Sequence, residues 1–235
     1  MEIFKNLPGL PSINEWIMPI IFLLDISGSM EGDKIKALIK GVNSYIADVG
    51  SHPYAGRVCE ICIITFNHGT EIYRNWAAAE SIEPISVEAG GGTQMTQALR
   101  LAVKTLDEKM TMYNSAGITI NKPKIILVTD GKANDDITEV ASEIKARSEE
   151  FKLWVLAVPG YNKKTAAMLT EGRRIFEMAE DSDITEFFEE SFLFFSILSI
   201  RGSTSAPGTN YTVDSNIGQS GSHCRVPNLD DWLNN

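Results

Sequence analysis

Ile20-Ile21-Phe22-Leu23-Leu24-Asp25-Ile26-Ser27-Gly28-Ser29 decides how the rest of this chain reads. Its first half is a continuous apolar run, the pattern of a strand covered by helices on both faces. Its second half sets an acid and two hydroxyls at alternate positions on the turn leaving that strand. These are hard oxygen donors able to converge on one cation. With no imidazole or thiolate among them, the set favours Mg²⁺, and Mn²⁺ fits the same donors.

Two further stretches complete such a site. In Gly90-Gly91-Gly92-Thr93 three glycines allow a tight turn and a close backbone approach before a hydroxyl is presented. Ile125-Ile126-Leu127-Val128-Thr129-Asp130-Gly131 is a second apolar strand ending in a carboxylate. In an open parallel sheet, ligands bind beyond the carboxyl ends of the strands, where strand order reverses. Three oxygen-bearing loops at that edge would form a compact cage.

Outward from these strands, apolar residues at Ile35, Leu38, Ile39, Val42, Ile46 and Val49 follow helical spacing. Residues 57–66 read as a second central strand. Residues 70–76, after the turn-forming Asn67-His68-Gly69, read as an antiparallel edge strand. Leu99, Ala102, Val103, Leu106 and Met110 mark a helix with Thr93 at or just before its N-terminus, and 111–123 reads as a loop. A strand over 124–129 and a helix with Ile137, Val140, Ala141 and Ile144 follow. Beyond them come a strand over 153–158, a short helix over 163–169, a strand over 174–178 and a last, Phe-rich helix over 184–198. Strands alternating with helices imply an α/β fold: a doubly wound, mostly parallel, Rossmann-like sheet with one antiparallel edge strand and helices on both faces.

Asp25-x-Ser27-x-Ser29, Thr93 and Asp130 together resemble the metal-ion-dependent adhesion site (MIDAS) of von Willebrand factor A (VWA) domains. The resemblance covers 19–200. It implies that Ser27 and Ser29 coordinate directly, Thr93 directly or through water, and Asp25 and Asp130 largely through water. A carboxylate from a protein partner would fill the open coordination position. The wording Leu24 to Met30, the Gly-Gly-Thr93 and the ending Phe194-Phe195-Ser196-Ile197-Leu198-Ser199 look most like the bacterial TerY-like proteins associated with tellurium resistance. That likeness implies a non-enzymatic binding module in a stress-response or defence system, beside a kinase or phosphatase. A VWA subunit docking on an ATPase ring of the chelatase kind is the alternative.

Composition sets the outer limits. A chain of 235 residues with 43% hydrophobic content supports one core domain over 19–200, an N-terminal arm over 1–18 and a polar tail over 201–235. Trp16 of the arm is expected to pack on the domain. The tail, rich in Ser, Gly and Asn, cannot bury enough apolar surface to offset its ordering entropy. Its last residues, Val226 to Leu233, regain some apolar character. A formal net charge of -10 disfavours nucleic acid and anionic membrane as partners, since both select clustered Lys and Arg. The N-terminus lacks a secretory pattern and the apolar stretch 192–200 is too short to cross a bilayer, so a cytoplasmic setting is expected.

Other chemistries fit the residues poorly. Cys59-x-x-Cys62 invites a zinc reading with His223-Cys224, but positions three apart on a strand face opposite sides, so inert buried thiols are expected. No Gly-x-x-x-x-Gly-Lys-[Ser/Thr] loop is present, and no Gly-x-Gly-x-x-Gly follows the first strand. A phosphatase using Asp25 as nucleophile would want a proton donor two residues on. Ser27 stands there, and an unperturbed hydroxyl is a poor general acid. Asp135, Asp136 and Glu139 read as N-terminal charges of the helix that follows them, and Lys132 and Asn134 frame the mouth of the site.

Overall fold

The computed structural model describes residues 16–192 of the chain, with side chains as far as Glu189. The first apolar run forms strand β1 (Met18–Asp25), every residue of which is buried. Because successive side chains point to opposite faces, Ile20, Phe22 and Leu24 enter one core and Ile21 and Leu23 the other. Burying a side chain of this size contributes about 1.5–3 kcal/mol. A strand apolar on both faces is therefore stable only as the middle of a sandwich of helices.

Helix α1 (Asp33–Ser51) lays Leu38, Val42, Tyr45, Ile46 and Val49 on the first face. A short turn of helix, α2 (Ala55–Val58), then leads into β2 (Cys59–Phe66), which runs parallel to β1. Residues Thr70–Ala78 form β3, antiparallel to β2 at the sheet edge. Helix α3 (Met95–Ala116) covers the second face and delivers β4 (Lys124–Thr129) to the other side of β1. Helix α4 (Thr138–Ala146), β5 (Lys152–Ala157), α5 (Lys163–Thr170) and β6 (Ile175–Glu177) extend the sheet. Helix α6 (Ser182–Glu186) and a π-helical turn (Phe187–Phe192) return to the α1 face.

The strand order is β3-β2-β1-β4-β5-β6, with all neighbours parallel except β2 and β3. This is the mostly parallel, doubly wound sheet that the alternation of elements predicts. The chain leaves β1 toward α1 on one face and reaches β4 from α3 on the other. A crevice therefore opens between the carboxyl ends of β1 and β4, the place where such sheets bind ligands. Leu24 pairs with Val128, so Asp25 and Thr129 end the two strands side by side.

Four expectations need correction. The segment 111–123 is not all loop: α3 continues to Ala116, with Tyr113 wholly buried. Its Thr111 and Ser115 hydroxyls bond the carbonyls of Asp107 and Thr111, one turn back. The Asn-Ser-Ala-Gly117 sequence is the helix's end, with Gly117 at φ 68, the left-handed conformation that closes helices. Arg57 and Val58 belong to α2 rather than to a strand. The final helical segment begins at Ser182 and winds into a π turn after Glu186; its expected course to 198 passes outside the described residues. Trp16 is 41% exposed, and it is the buried Ile17, bridged to Ile120, that ties the chain's entry to the domain.

Candidate metal centre

Three loops meet in the crevice, held to one another by backbone hydrogen bonds. The turn after β1 bonds the glycine loop twice, through Gly28 N–H to Gly91 O (3.0 Å) and Gly90 N–H to Ile26 O (2.8 Å). Ile26 N–H also reaches Phe66 O at the end of β2, and Gln94 N–H reaches Asn67 O. The loop after β4 joins through Asn134 N–H to Thr93 O (2.9 Å), while Asn134 Oδ1 accepts from Thr93 N–H (2.6 Å). A side chain at Gly92 would place its Cβ 2.9 Å from that Asn134 oxygen. The glycine there is a matter of space, and Gly91 at φ +82 is a matter of backbone conformation.

All five residues singled out in the sequence lie at this junction. Asp25, Ser27, Thr93 and Asp130 are buried and Ser29 is partly so. The Ser27 and Ser29 hydroxyls lie 3.1 Å apart. Neither is spent on a helix end: Ser27 makes no side-chain cap on the 3-10 turn Gly28–Met30, and α1 starts at Gly32. The ordinary alternative for two serines on such a turn, helix capping, is thus not what these hydroxyls do.

Asp25 is fixed from two sides. Its Oδ1 accepts from Ser27 N–H (2.9 Å) and its Oδ2 from the Thr129 hydroxyl (2.5 Å). Thr129 Oγ1 in turn accepts from Gly131 N–H (2.8 Å), so one threonine links both acid loops. Burial pushes the Asp25 carboxyl above its ordinary range. The bonds from Ser27 and Thr129 pull it back, and the neighbouring Asp130 raises it further. Asp130 has its backbone pinned by Asn162 N–H to its carbonyl (2.7 Å) and its Oδ1 approached by Lys132 N–H (3.3 Å). Its Oδ2, though buried, receives no hydrogen bond; the Lys132 ammonium stands 3.1 Å away as an ion pair.

Thr129 and Asp135 are the contributors that the motif did not mark. Thr129 could have been suspected as a hydroxyl ending a buried strand beside an acid. Asp135 caps the N-terminus of α3 rather than its own helix, accepting from Met95 N–H (3.0 Å) and Thr96 N–H (2.7 Å). Asp136 serves its own helix through Thr138, and Glu139 stands in the first turn of that helix as expected while also pairing with Arg100. Of the framing pair, Lys132 reaches into the site and Asn134 buttresses Thr93 from behind.

The fit of this cage to a cation rests on its chemistry. Two fully buried carboxylates lie together, with Asp130 disfavouring the charge of Asp25 and itself carrying an oxygen that lacks a hydrogen bond, beside two adjacent uncapping hydroxyls. Buried charge of one sign needs a partner, and the donors present are hard oxygens. Among the described residues, no three His, Cys, Asp or Glu side chains gather into a metal cluster, and this site itself has two carboxylates with hydroxyls as its remaining donors. Cys59 and Cys62 are buried in opposite cores, and burial pushes both thiols up to about 12.

Residues 20–190 match the von Willebrand factor type A domain family, and the chain belongs to it. Among curated relatives, inter-alpha-trypsin inhibitor heavy chain H2 of Mus musculus is 27% identical over 122 residues, 48% of this chain. The matched part is 12% of that relative, so the present chain spans a small fraction of its length. Among solved structures, the pilus adhesin SpaC from Lactobacillus rhamnosus GG superposes with a TM-score of 0.64 at 16% identity, covering 78% of this chain and 30% of SpaC. Proximal thread matrix protein 1 from the mussel byssus, in a form with a zinc-occupied MIDAS motif, gives 0.52 at 15% identity, covering 77% and 46%. Both likenesses show the fold.

Proposed function

We propose that this domain captures a protein partner through a divalent cation held by Ser27, Ser29 and Thr93, with Asp25 and Asp130 supporting it largely through water. The observation that carries this reading is the pair of wholly buried carboxylates closing on two hydroxyls that cap no helix. Mg²⁺ is the ion we assign, with Mn²⁺ suited to the same donors. When bound, the ion supplies an electrophilic position for a partner's carboxylate.

The protein's own part is to hold neutral and charged oxygens in different roles. Asp25 has both oxygens engaged and is sealed from solvent, an arrangement that orients the Ser27 loop and does not suit attack on a substrate. Ser27, Ser29 and Thr93 are uncharged, so a site built on them leaves much of the ion's charge for an incoming acid. The finer setting we propose is a cytoplasmic stress-response system of the tellurium-resistance type, with a kinase or phosphatase of the same system as partner. Its support is the wording around Asp25 and Gly92-Thr93; the ending 194–199 that shares the likeness lies outside the described residues.

Calorimetric titration of chelator-stripped protein with MgCl₂ and MnCl₂ tests the site. Wild type should bind one equivalent, while Ser29→Ala and Thr93→Ala should lose binding with unchanged circular dichroism. Binding retained in both variants would overturn the reading.

A further inference from the structure

We infer that Lys132 is a built-in counter-cation of the metal centre: its ammonium competes with the divalent ion for Asp130 and raises the metal concentration at which the site loads. The inference rests on the metal reading above and concerns its regulation. Lys132 Nζ lies 3.1 Å from Asp130 Oδ2, the one carboxylate oxygen of the two acids that receives no hydrogen bond. That oxygen is buried, while the Lys132 side chain is 55% exposed. The ammonium therefore reaches inward from the mouth on a flexible stem with an open way back to water.

The backbone holds this pairing in register. Gly131 adopts φ +68, and a Cβ there would come within 3.3–3.4 Å of Asn162, so the loop turns sharply against α5's cap residue. Lys132 N–H approaches Asp130 Oδ1 at 3.3 Å and Asn162 N–H holds the Asp130 carbonyl. Residue 132 is thereby returned over the carboxylate it follows by two positions. A lysine suits the role because it is a compact charge on rotatable methylenes; a bidentate guanidinium would be harder to displace.

Two consequences of opposite sign follow. In the metal-free protein Lys132 offsets part of the charge that Asp130 buries, so its removal destabilises the fold. When a divalent ion binds, it draws on the same carboxylate and the ammonium becomes a like charge at the mouth, so its removal tightens metal binding. A lysine with a merely structural role would move the first quantity and not the second. A generic change in net charge would tighten binding wherever the lysine stood.

The experiment compares full-length wild type, Lys132→Met, Lys132→Arg and a remote control, Lys104→Met, whose own partner is Glu108 on the surface of α3. Each protein is stripped with chelator. It is then melted with and without MgCl₂ and titrated calorimetrically with MgCl₂ at fixed 0.15 M salt, where the screening length is about 8 Å. Lys132→Met should bind Mg²⁺ about twofold to fivefold more tightly than wild type, the upper part of the range for an ion pair with a solvent-facing member. Its metal-free melting temperature should fall, and its metal-induced rise should exceed that of wild type. Lys132→Arg should bind no more tightly than wild type, and Lys104→Met should match it. Wild type binding Mg²⁺ while Lys132→Met binds equally or more weakly overturns this inference alone, as does an equal gain in Lys104→Met. Absence of binding in every variant overturns the metal centre itself, and the inference with it. Binding seen only in Lys132→Met supports both.

Discussion

At the scale of single residues, the least obvious contributor is Thr129, whose hydroxyl lies between Asp25 and the Gly131 amide. Thr129→Val keeps the shape of the side chain but leaves a buried carboxylate oxygen and a buried N–H without their partner. Such unmade bonds cost about 1–3 kcal/mol each, so for the two together we expect a loss of about 2–6 kcal/mol in urea unfolding under chelator, with Thr129→Ser close to wild type. The five motif positions were legible because acid and hydroxyl at fixed spacing state their chemistry directly. Thr129 was not, since a threonine is also an ordinary strand residue. The cysteines make a second prediction. Their folded pKa values, pushed up by burial to about 12, exceed the ordinary value of 9.0. Between those limits the folded chain holds protons that the unfolded chain has released, so this contribution to stability is intact below pH 9 and falls as pH rises above it. At pH 8, brief alkylation followed by peptide mapping should find Cys59 and Cys62 unmodified until urea is added. Rapid labelling in the native state would contradict their burial.

At the scale of elements, apolar periodicity located the central strands and the main helices, because burial on two faces writes a continuous run and burial on one writes a stripe. It could not locate where α3 ends. Gly117 closes that helix, yet Asn114-Ser-Ala-Gly117 reads equally well as a loop when the burial of Tyr113 is unknown. Nor could it say which helix Asp135 serves, because the amides it accepts from lie 39 and 40 positions away. That contact has a measurable consequence: it fixes the first turn of α3 directly behind Thr93, so Asp135→Ala should both destabilise the domain and weaken Mg²⁺ binding. Loss of an N-terminal cap costs about 0.5–2 kcal/mol, and we expect about 1–2 kcal/mol here because two amides lose their acceptor. Asp136→Ala, which uncaps only the start of α4 around Thr138, should reduce stability without changing the calorimetric affinity. Equal affinity losses in the two variants would show that the cap on α3 has no special bearing on the site.

At the scale of the whole molecule, the metal loops and the last helical segment are anchored on different structures. The loops are tied to one another, to the end of β2 and to Asn162: Gly28 to Gly91, Gly90 to Ile26, Ile26 to Phe66, Asn134 to Thr93, and Asn162 to Asp130. Helix α6 and the π turn instead press on α1 at Gly41, where an added Cβ would stand 2.9 Å from the Phe188 ring and 3.1 Å from Thr185 Cα. Thr185 donates to the Ala37 carbonyl and Ser44 to Glu189 along the same seam. Phe188 then reaches inward to Phe22 and Tyr45, so the seam is continuous with the core of that face. Gly41→Ala must push this packing apart, and overpacking of this kind costs about 1–3 kcal/mol. The expected result is a lower melting temperature with the Mg²⁺ affinity of the folded protein within about twofold of wild type, a change under 0.5 kcal/mol. A larger change in affinity would show that the seam between α1 and α6 and the metal loops move as one body, which the hydrogen bonds holding those loops do not require.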